Sequence, residues 1–351
     1  MLQQTQVKTV IPFWERWLRE LPTIEAAAKA SPDKLHKLWE GLGYYTRVRN
    51  LQKAAQVIVA QHQGKFPDQF ADVLALPGIG RYTAGAICSI AFDQPQPILD
   101  GNVIRVLTRV FGLAENPKTK AANERLWKLA EELVSRAPAG AAFRRGEVSK
   151  SGKKARTRTR TKAAKMGGAA CSHLNQSLME LGALVCTPRN AQCGVCPLKR
   201  LCVAFQEGRV EELPNLGERS PATARRFAAF VFERQGKFLV RQRPAGVVNS
   251  QLWEFPNVEI DGRRDGVKPV FKSTFGLAAR QLTPLLIVRH SITRYRITLQ
   301  VFRVEAETVP VSENQGSWKT PAQMHALAFA SAHRKILRTL DAPQERHTLV
   351  T

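Results

Sequence analysis

The sequence predicts a multidomain chain, all-helical in its first part and α+β in its last, and three observations carry that prediction. Apolar residues recur at helical spacing as far as Arg136. Prolines punctuate this stretch with no hairpin signal between them. From Phe227 the period shortens to that of strands. At roughly 100–200 residues per domain, the length fits two or three domains. A hydrophobic content of 44% supports a sizeable core and excludes wholesale disorder.

In order along the chain, Thr5–Arg136 reads as successive helices. Ala54–Gln61 and Lys120–Val134 are clear amphipathic segments, and Pro12, Pro22, Pro32, Pro67, Pro77 and Pro117 mark starts and stops. Ala137–Ala170 has no hydrophobic period and is expected to be disordered. A helical segment and a cysteine-rich loop fill 171–205. Gln206–Ala224, with Pro214 and Pro221, reads as a linker. Phe227–Glu233 and Lys237–Arg241 are strand-like and joined by Gln235-Gly236, a hairpin candidate. Ile297–Val304 alternates as a later strand, and Pro321–Leu340 returns to helix. The domain plan is therefore 1–136, 137–170, 171–205, 206–225 and 226–345.

Charge points to a partner. The formal net charge is +24. The stretch 137–170 sets ten basic residues against one acid, Glu147, a net +9 that leaves +15 for the rest. A single solubilising tail cannot explain that, and a basic soluble protein takes a polyanion, by default nucleic acid. The basic stretch itself reads equally as a solvated loop, a nucleic-acid-binding arm or a targeting run. No apolar run approaches the ~20 residues that span a bilayer, and the first residues lack the pattern of a signal peptide. The expectation is a soluble intracellular protein that does not use a membrane.

Three local patterns carry chemistry. Cys186-x6-Cys193-x2-Cys196-x5-Cys202 gathers four thiolates in one loop, a closed structural site. Spacing alone leaves an iron–sulfur cluster and a zinc ion both open, whereas a disulfide is out of place in an intracellular chain. Cys88 and Cys171 read as plain buried residues. Leu76-Pro77-Gly78-Ile79-Gly80 breaks one helix and opens another, a turn whose N–H groups stand where phosphate binds. Pro97-Ile98-Leu99-Asp100-Gly101-Asn102 ends an apolar run on an aspartate, which by itself is an ordinary helix N-cap.

The order and separations of these motifs, together with Met1-Leu2-Gln3-Gln4-Thr5-Gln6-Val7 and Gly41-Leu42-Gly43-Tyr44-Tyr45-Thr46-Arg47, resemble the helix-hairpin-helix DNA glycosylases, specifically those of the MutY type. The resemblance covers nearly the whole chain apart from the basic stretch. It implies a six-helix barrel with the helix-hairpin-helix over 1–136, a [4Fe-4S] module over 171–205 and a cleft between these modules. It also implies a Nudix (MutT)-like domain over 226–345 that recognises 8-oxoguanine. The implied task is removal of adenine mispaired with 8-oxoguanine or guanine in double-stranded DNA by a monomer. Its place would be the nucleus, or nucleus and mitochondrion, in a eukaryote and the cytoplasm and nucleoid in a bacterium.

Residue by residue, the resemblance assigns Asp100 as the catalytic carboxylate, with Tyr82 and Asn102 orienting the acid–base apparatus. Gln4 and Tyr44 match the intercalating residues, and Thr5 and Leu42 the contacts beside 8-oxoguanine. Leu76, Gly78, Ile79 and Gly80 would grip the DNA backbone, Gln176 would line the adenine pocket, and the four cysteines would hold the cluster. A phenol cannot form the Schiff base that a lysine forms at the position of Tyr82 in endonuclease III-type relatives, which implies a monofunctional glycosylase. His290–Arg296 aligns with the loop that reads 8-oxoguanine, and Thr293 retains a hydroxyl there. Arg241–Pro244 and Leu252–Pro256 resemble the family's Nudix-like domain, yet the Nudix metal signature is not seen after Pro256, so no pyrophosphohydrolase activity is expected. The family's general-acid glutamate stands two positions before the methionine that is Met1 here. The expectation is that the chain as written binds mispaired DNA but excises adenine slowly or not at all; the alternative is a lesion-binding protein that does not cut.

Overall fold

The structure, a computed structural model, describes residues 1–137, 169–218, 221–260, 266–292, 294–306 and 316–341. The stretch 137–170 therefore lies, but for its ends, outside the described residues.

The chain opens with α1 (Val7–Glu20), α2 (Ile24–Lys29), α3 (Pro32–Trp39) and α4 (Thr46–Gln61). Thr23 and Ser31 start α2 and α3 by accepting from the N–H groups of Ala26 and Lys34, the local bond that favours these residues at N-caps. One expected boundary is corrected: Pro12 lies inside α1, not at an end. The buried face of Val10 and Trp17 carries that helix across the missing bond.

Next come α5 (Phe70–Ala75), α6 (Arg81–Ala91), α7 (Gly101–Val110) and α8 (Lys120–Ser135). α9 (Ala169–Glu180) runs into a π-helical turn at Leu181–Val185, and α10 (Val203–Gln206) follows the cysteine loop. The rest is β1 (Thr223–Val231), β2 (Glu233–Arg234), β3 (Lys237–Gln242), β4 (Trp253–Glu254), β5 (Asn257–Glu259), α11 (Val267–Phe275), β6 (Gln281–Ile292), β7 (Tyr295–Glu305), β8 (Ser317–Lys319), α12 (Pro321–Ala326) and α13 (Ser331–Asp341). The Gln235-Gly236 hairpin forms where the sequence places it, with both residues at positive φ.

Contacts gather the chain into two compact units, Met1–Gly64 with Ser220–Thr351, and Lys65–Arg219. In the first, one sheet runs β5-β1-β7-β6 and another runs β2-β3-β4 with β8 on β3. β1 lies parallel to β7 and antiparallel to β5, and its Ala228–Val231 run is wholly buried. Alternate residues feed two clusters: Ala228 and Phe230 pack with Phe232 and Phe271, while Ala229 and Val231 pack with Phe255 and Ile336. That two-sided burial explains an unbroken apolar run instead of clean alternation. Helices α1–α4 share their core with Leu252, Ala328 and Ala330. Polar bonds reinforce the joint: buried Glu40 accepts from the N–H of Phe329 at 3.0 Å, and Lys37 donates to the carbonyl of Leu327 at 3.0 Å.

The second unit is helical. Ile98, Leu99, Val103, Leu107, Leu113, Leu126 and Ala130 form its main core around α7 and α8, and Val73, Ala84 and Cys88 form a smaller one between α5 and α6. Each fully buried leucine contributes about 1.5–3 kcal/mol. Part of the expected linker is tied down here, since Leu213 packs on Cys202 and Ala204. Among the described residues no helix is long and apolar enough to cross a membrane.

Candidate active site and thiol pocket

Asp100 is the N-cap of α7, as its sequence context predicts. Its Oδ1 accepts from the backbone N–H groups of Asn102 at 3.0 Å and Val103 at 2.8 Å, and its Oδ2 from Asn102 Nδ2 at 3.0 Å. Three donors thus fix both oxygens of a half-buried carboxylate at the positive end of a helix. Tyr82, near the start of α6, lies close enough to feel that charge. Burial first, and then Asp100, raises its phenol above the ordinary value. The hydroxyl stays protonated and donates to Met179 Sδ at 3.6 Å.

The amide of Asn102 is oriented from its other end. Its Oδ1 accepts from Arg105 Nη2 at 2.8 Å, while Arg105 Nε donates to the carbonyl of Cys186 at 2.6 Å and Nη2 to that of Gly182 at 2.5 Å. A Cβ on Gly182 would stand 2.6 Å from Asn102 Cβ, so glycine is what lets the π-helical turn approach α7. A continuous set of bonds therefore joins Cys186 to Asp100 through Arg105 and Asn102.

One turn further along α7, Arg109 is almost wholly buried. It donates from Nε to the carbonyl of Leu213 at 2.8 Å, and from Nη1 to the Thr187 carbonyl at 2.8 Å and Cys186 Sγ at 3.3 Å. Its Nη2 is buried without a partner among the described residues. Arg109 lines one pocket together with Cys186, Cys193, Cys196, Cys202 and a mostly apolar wall that includes Val106, Leu181 and Leu198. Burial, with Cys186, Cys196 and Cys202 behind it, raises the Cys193 thiol, and Arg109 opposes this. The four sulfurs thus converge. Among the described residues, however, no three or more His, Cys, Asp or Glu side chains are grouped so as to hold a single metal ion.

Sequence reading missed Arg105 and Arg109. Their signal was there: two arginines four apart in the mostly apolar, largely buried stretch Val103–Val110 of α7. Asn175 was missed as well; it is buried and donates to Ser89 Oγ at 2.9 Å and the Gln96 carbonyl at 2.8 Å. One turn of α9 away from Ser172, Gln176 is half-buried and donates to that hydroxyl at 3.0 Å. Cys88 and Cys171 are buried, free thiols.

Between α5 and α6 the chain turns at Pro77-Gly78, where Gly78 has φ +79° and the Ile79 N–H donates to the Leu76 carbonyl at 3.1 Å. Gly80 is the N-cap of α6, so no side chain caps its first turn, the part of a helix that carries partial positive charge. Gln4, Thr5, Leu42 and Tyr44 belong to the other unit. Gln4 and Tyr44 are exposed and both sit at positive φ, 55° and 48°, whereas Leu42 is buried and Thr5 half-buried. Thr293 lies outside the described residues.

Residues 1–132 match the family described as HhH-GPD superfamily base excision DNA repair protein, and residues 227–339 match the NUDIX domain. The adenine DNA glycosylase of Homo sapiens is 32% identical over 399 residues, covering 98% of this chain and 67% of that protein. That of Rattus norvegicus is 33% identical over 394 residues, covering 97% and 70%. Among solved structures, a thermostable thymine-DNA glycosylase aligns at 24% identity and a TM-score of 0.46, over 59% of this chain and 80% of that one. With the capped aspartate, the turn before α6 and the Nudix-like sheet in place, this chain belongs to the MutY-type adenine DNA glycosylases, base excision repair enzymes that bind DNA and hydrolyse its N-glycosidic bonds.

Proposed function

We propose that this glycosylase removes adenine mispaired with 8-oxoguanine, preferring it to adenine opposite guanine, and leaves an abasic site without cutting the strand. The observation that carries this reading is the Asp100 carboxylate, fixed by three N–H donors. When the bond between sugar and adenine breaks, its electron pair leaves with the base, which must gain a proton to depart. The sugar becomes a cation, and a preorganised carboxylate stabilises it until water adds and gives up its proton. Tyr82 supports the monofunctional reading, since a phenol offers no amine for a Schiff base.

A base must leave the stack before this chemistry, and something must fill the gap. Exposed Tyr44 and Gln4 suit that task, with Thr5 and Leu42 beside the lesion and Thr293 contributing from the Nudix-like domain. The turn Leu76–Gly80 suits the DNA backbone, which it would meet with Gly78, Ile79 and Gly80. Gln176 would line the pocket for the displaced adenine.

The thiol pocket fits an iron–sulfur cluster, which cross-links the loop that bears it. Cys186, Cys193, Cys196 and Cys202 would hold a [4Fe-4S] cluster, and the orphan N–H of Arg109 would meet its sulfurs.

Single-turnover assays of the protein on an 8-oxoguanine:adenine duplex test the reading. Adenine release is expected to exceed that from guanine:adenine, with strand breaks only after alkali. A covalent adduct trapped by borohydride would overturn monofunctionality. Purified protein should hold about four irons per chain, and zinc without iron would overturn the cluster assignment.

A further inference from the structure

Arg47 stands in the first turn of α4 with its guanidinium half-buried between two loops. From Nη1 it donates to the carbonyls of Met1 at 3.0 Å and Gln3 at 2.5 Å, and to Thr5 Oγ1 at 3.4 Å. From Nη2 it donates to the carbonyls of Leu42 at 3.0 Å and Gly43 at 3.2 Å. One terminal nitrogen therefore serves the Met1–Thr5 loop and the other serves the Leu42–Tyr44 loop. Its plane also lies over two rings, 5.4 Å from the Trp39 centroid and 5.6 Å from that of Tyr44. Trp39 completes the hold by donating from Nε1 to the Gly43 carbonyl at 3.0 Å.

Both loops need such a hold. Each turns through a left-handed residue that is not glycine, Gln4 in one and Tyr44 in the other, with Gly41 and Gly43 also at positive φ. L-residues rarely adopt that conformation unless their surroundings impose it. Tyr44 is nevertheless 59% exposed, so apolar packing does not impose it; the bonds beneath do.

We propose that Arg47 is a positioning residue that locks the loops bearing Gln4 and Tyr44 into one wedge, so that both side chains enter a duplex together. The inference rests on the proposed reading that Gln4 and Tyr44 enter the base stack. A lysine keeps the charge but lacks the planar fork that reaches two loops at once.

The test uses the full chain and a duplex with 2-aminopurine opposite 8-oxoguanine, whose fluorescence rises when the base leaves the stack. In Arg47→Lys the fluorescence rise should fall on the order of tenfold, because each bond lost came from a charged donor. Affinity for undamaged duplex at matched salt should stay within about twofold, since the cation remains. In the parent protein Gln4→Ala and Tyr44→Ala should be coupled: the double variant should depart from the product of the single effects by about fivefold. In the Arg47→Lys background that coupling should vanish. If Tyr44→Ala weakens extrusion while Arg47→Lys does not, the clamp is overturned although the loops do enter the duplex. Independent effects of Gln4→Ala and Tyr44→Ala in the parent protein overturn it too, with no need for an Arg47 variant to fold. If no variant changes the fluorescence, the loops do not enter the stack, and the inference falls with the reading beneath it.

Discussion

Two carboxylates, one in each unit, show how a protein uses the same group for opposite ends. Glu254 is buried against two cations, Arg241 at 3.0 Å and Arg243 in close contact, with the His333 ring at 3.8 Å. Burial alone would lift its carboxyl, but His333, Arg243 and Arg241 outweigh it and hold the group below the ordinary range. Because burial pushes His333 itself down to about 4, the two arginines carry the pairing at neutral pH. Asp100 is half-buried and held by three neutral N–H donors, and among the described residues it makes no ion pair. Arg105 stands one residue removed, behind Asn102. The charge of Glu254 is spent within the fold, whereas that of Asp100 is oriented by neutral donors alone, as the proposed role beside a sugar cation requires. On the proposed reading, the catalytic carboxylate is thus marked here by what it lacks.

The largest expected effect comes from removing the free charge. Asp100→Asn should slow adenine release by on the order of 10²–10³, the usual loss for a preorganised electrostatic partner. Thermal stability should hardly move, because asparagine caps a helix as well as aspartate. Single-turnover rates and a melting curve on the same sample separate the two roles. Glu254→Gln should behave in the opposite way. It leaves two arginines facing a neutral amide and should cost about 3 kcal/mol of stability, as broken buried pairs do. Denaturant unfolding measures that loss, while the folded fraction should excise at the parent rate. A slower rate for Glu254→Gln, or an unfolded Asp100→Asn, would break the comparison.

His333 sharpens it through pH. Neutral in the fold, the ring accepts from the Phe255 N–H at Nδ1, 3.2 Å away. Its folded value of about 4 lies below the ordinary 6.5. Between those values the unfolded chain binds a proton that the folded chain does not. Stability should therefore fall as pH drops from about 6.5 to about 4, by at most about 3 kcal/mol. Denaturant midpoints across that window should show the slope, and His333→Gln should flatten it. The smallest effect concerns the second line of support for Asp100. Arg105→Lys keeps the charge but cannot reach Asn102, Gly182 and Cys186 together, and should slow release about tenfold. It should also loosen the cysteine loop, visible as a lower iron content after dialysis against chelator.

Much of this was legible in the sequence. The helical first part, the Gln235-Gly236 hairpin and the late strand appear where the hydrophobic period puts them, because period is a property of neighbours along the chain. The single helix expected over Pro321–Leu340 is instead two, α12 and α13, parted where the backbone of Ala328 and Ala330 bonds to Trp253. The N-cap role of Asp100 was equally local. Pro12 was misread as a boundary since one proline signals a stop unless burial of the whole helix face outweighs it, and burial is not local. Arg47, Arg105 and Arg109 went unassigned for the same reason. Each donates to carbonyls or to a thiol far away in sequence, and the residue type alone says nothing of which carbonyls come near.

By itself, then, the sequence determined most element types, the four-cysteine spacing, the turn before α6 and the N-cap role of Asp100. All of these depend on residues within a few positions of one another or on motif order. Only the tertiary structure decided that α1–α4 share a core with Leu252 and Ala330, that Arg105 links Cys186 to Asn102, and that Arg47 joins two loops. The physical reason is one of range. Helix caps, turns and periodicity are set by backbone groups within a turn or two, but a buried arginine is satisfied by whichever acceptors the packed elements present, and that choice is made when the core closes.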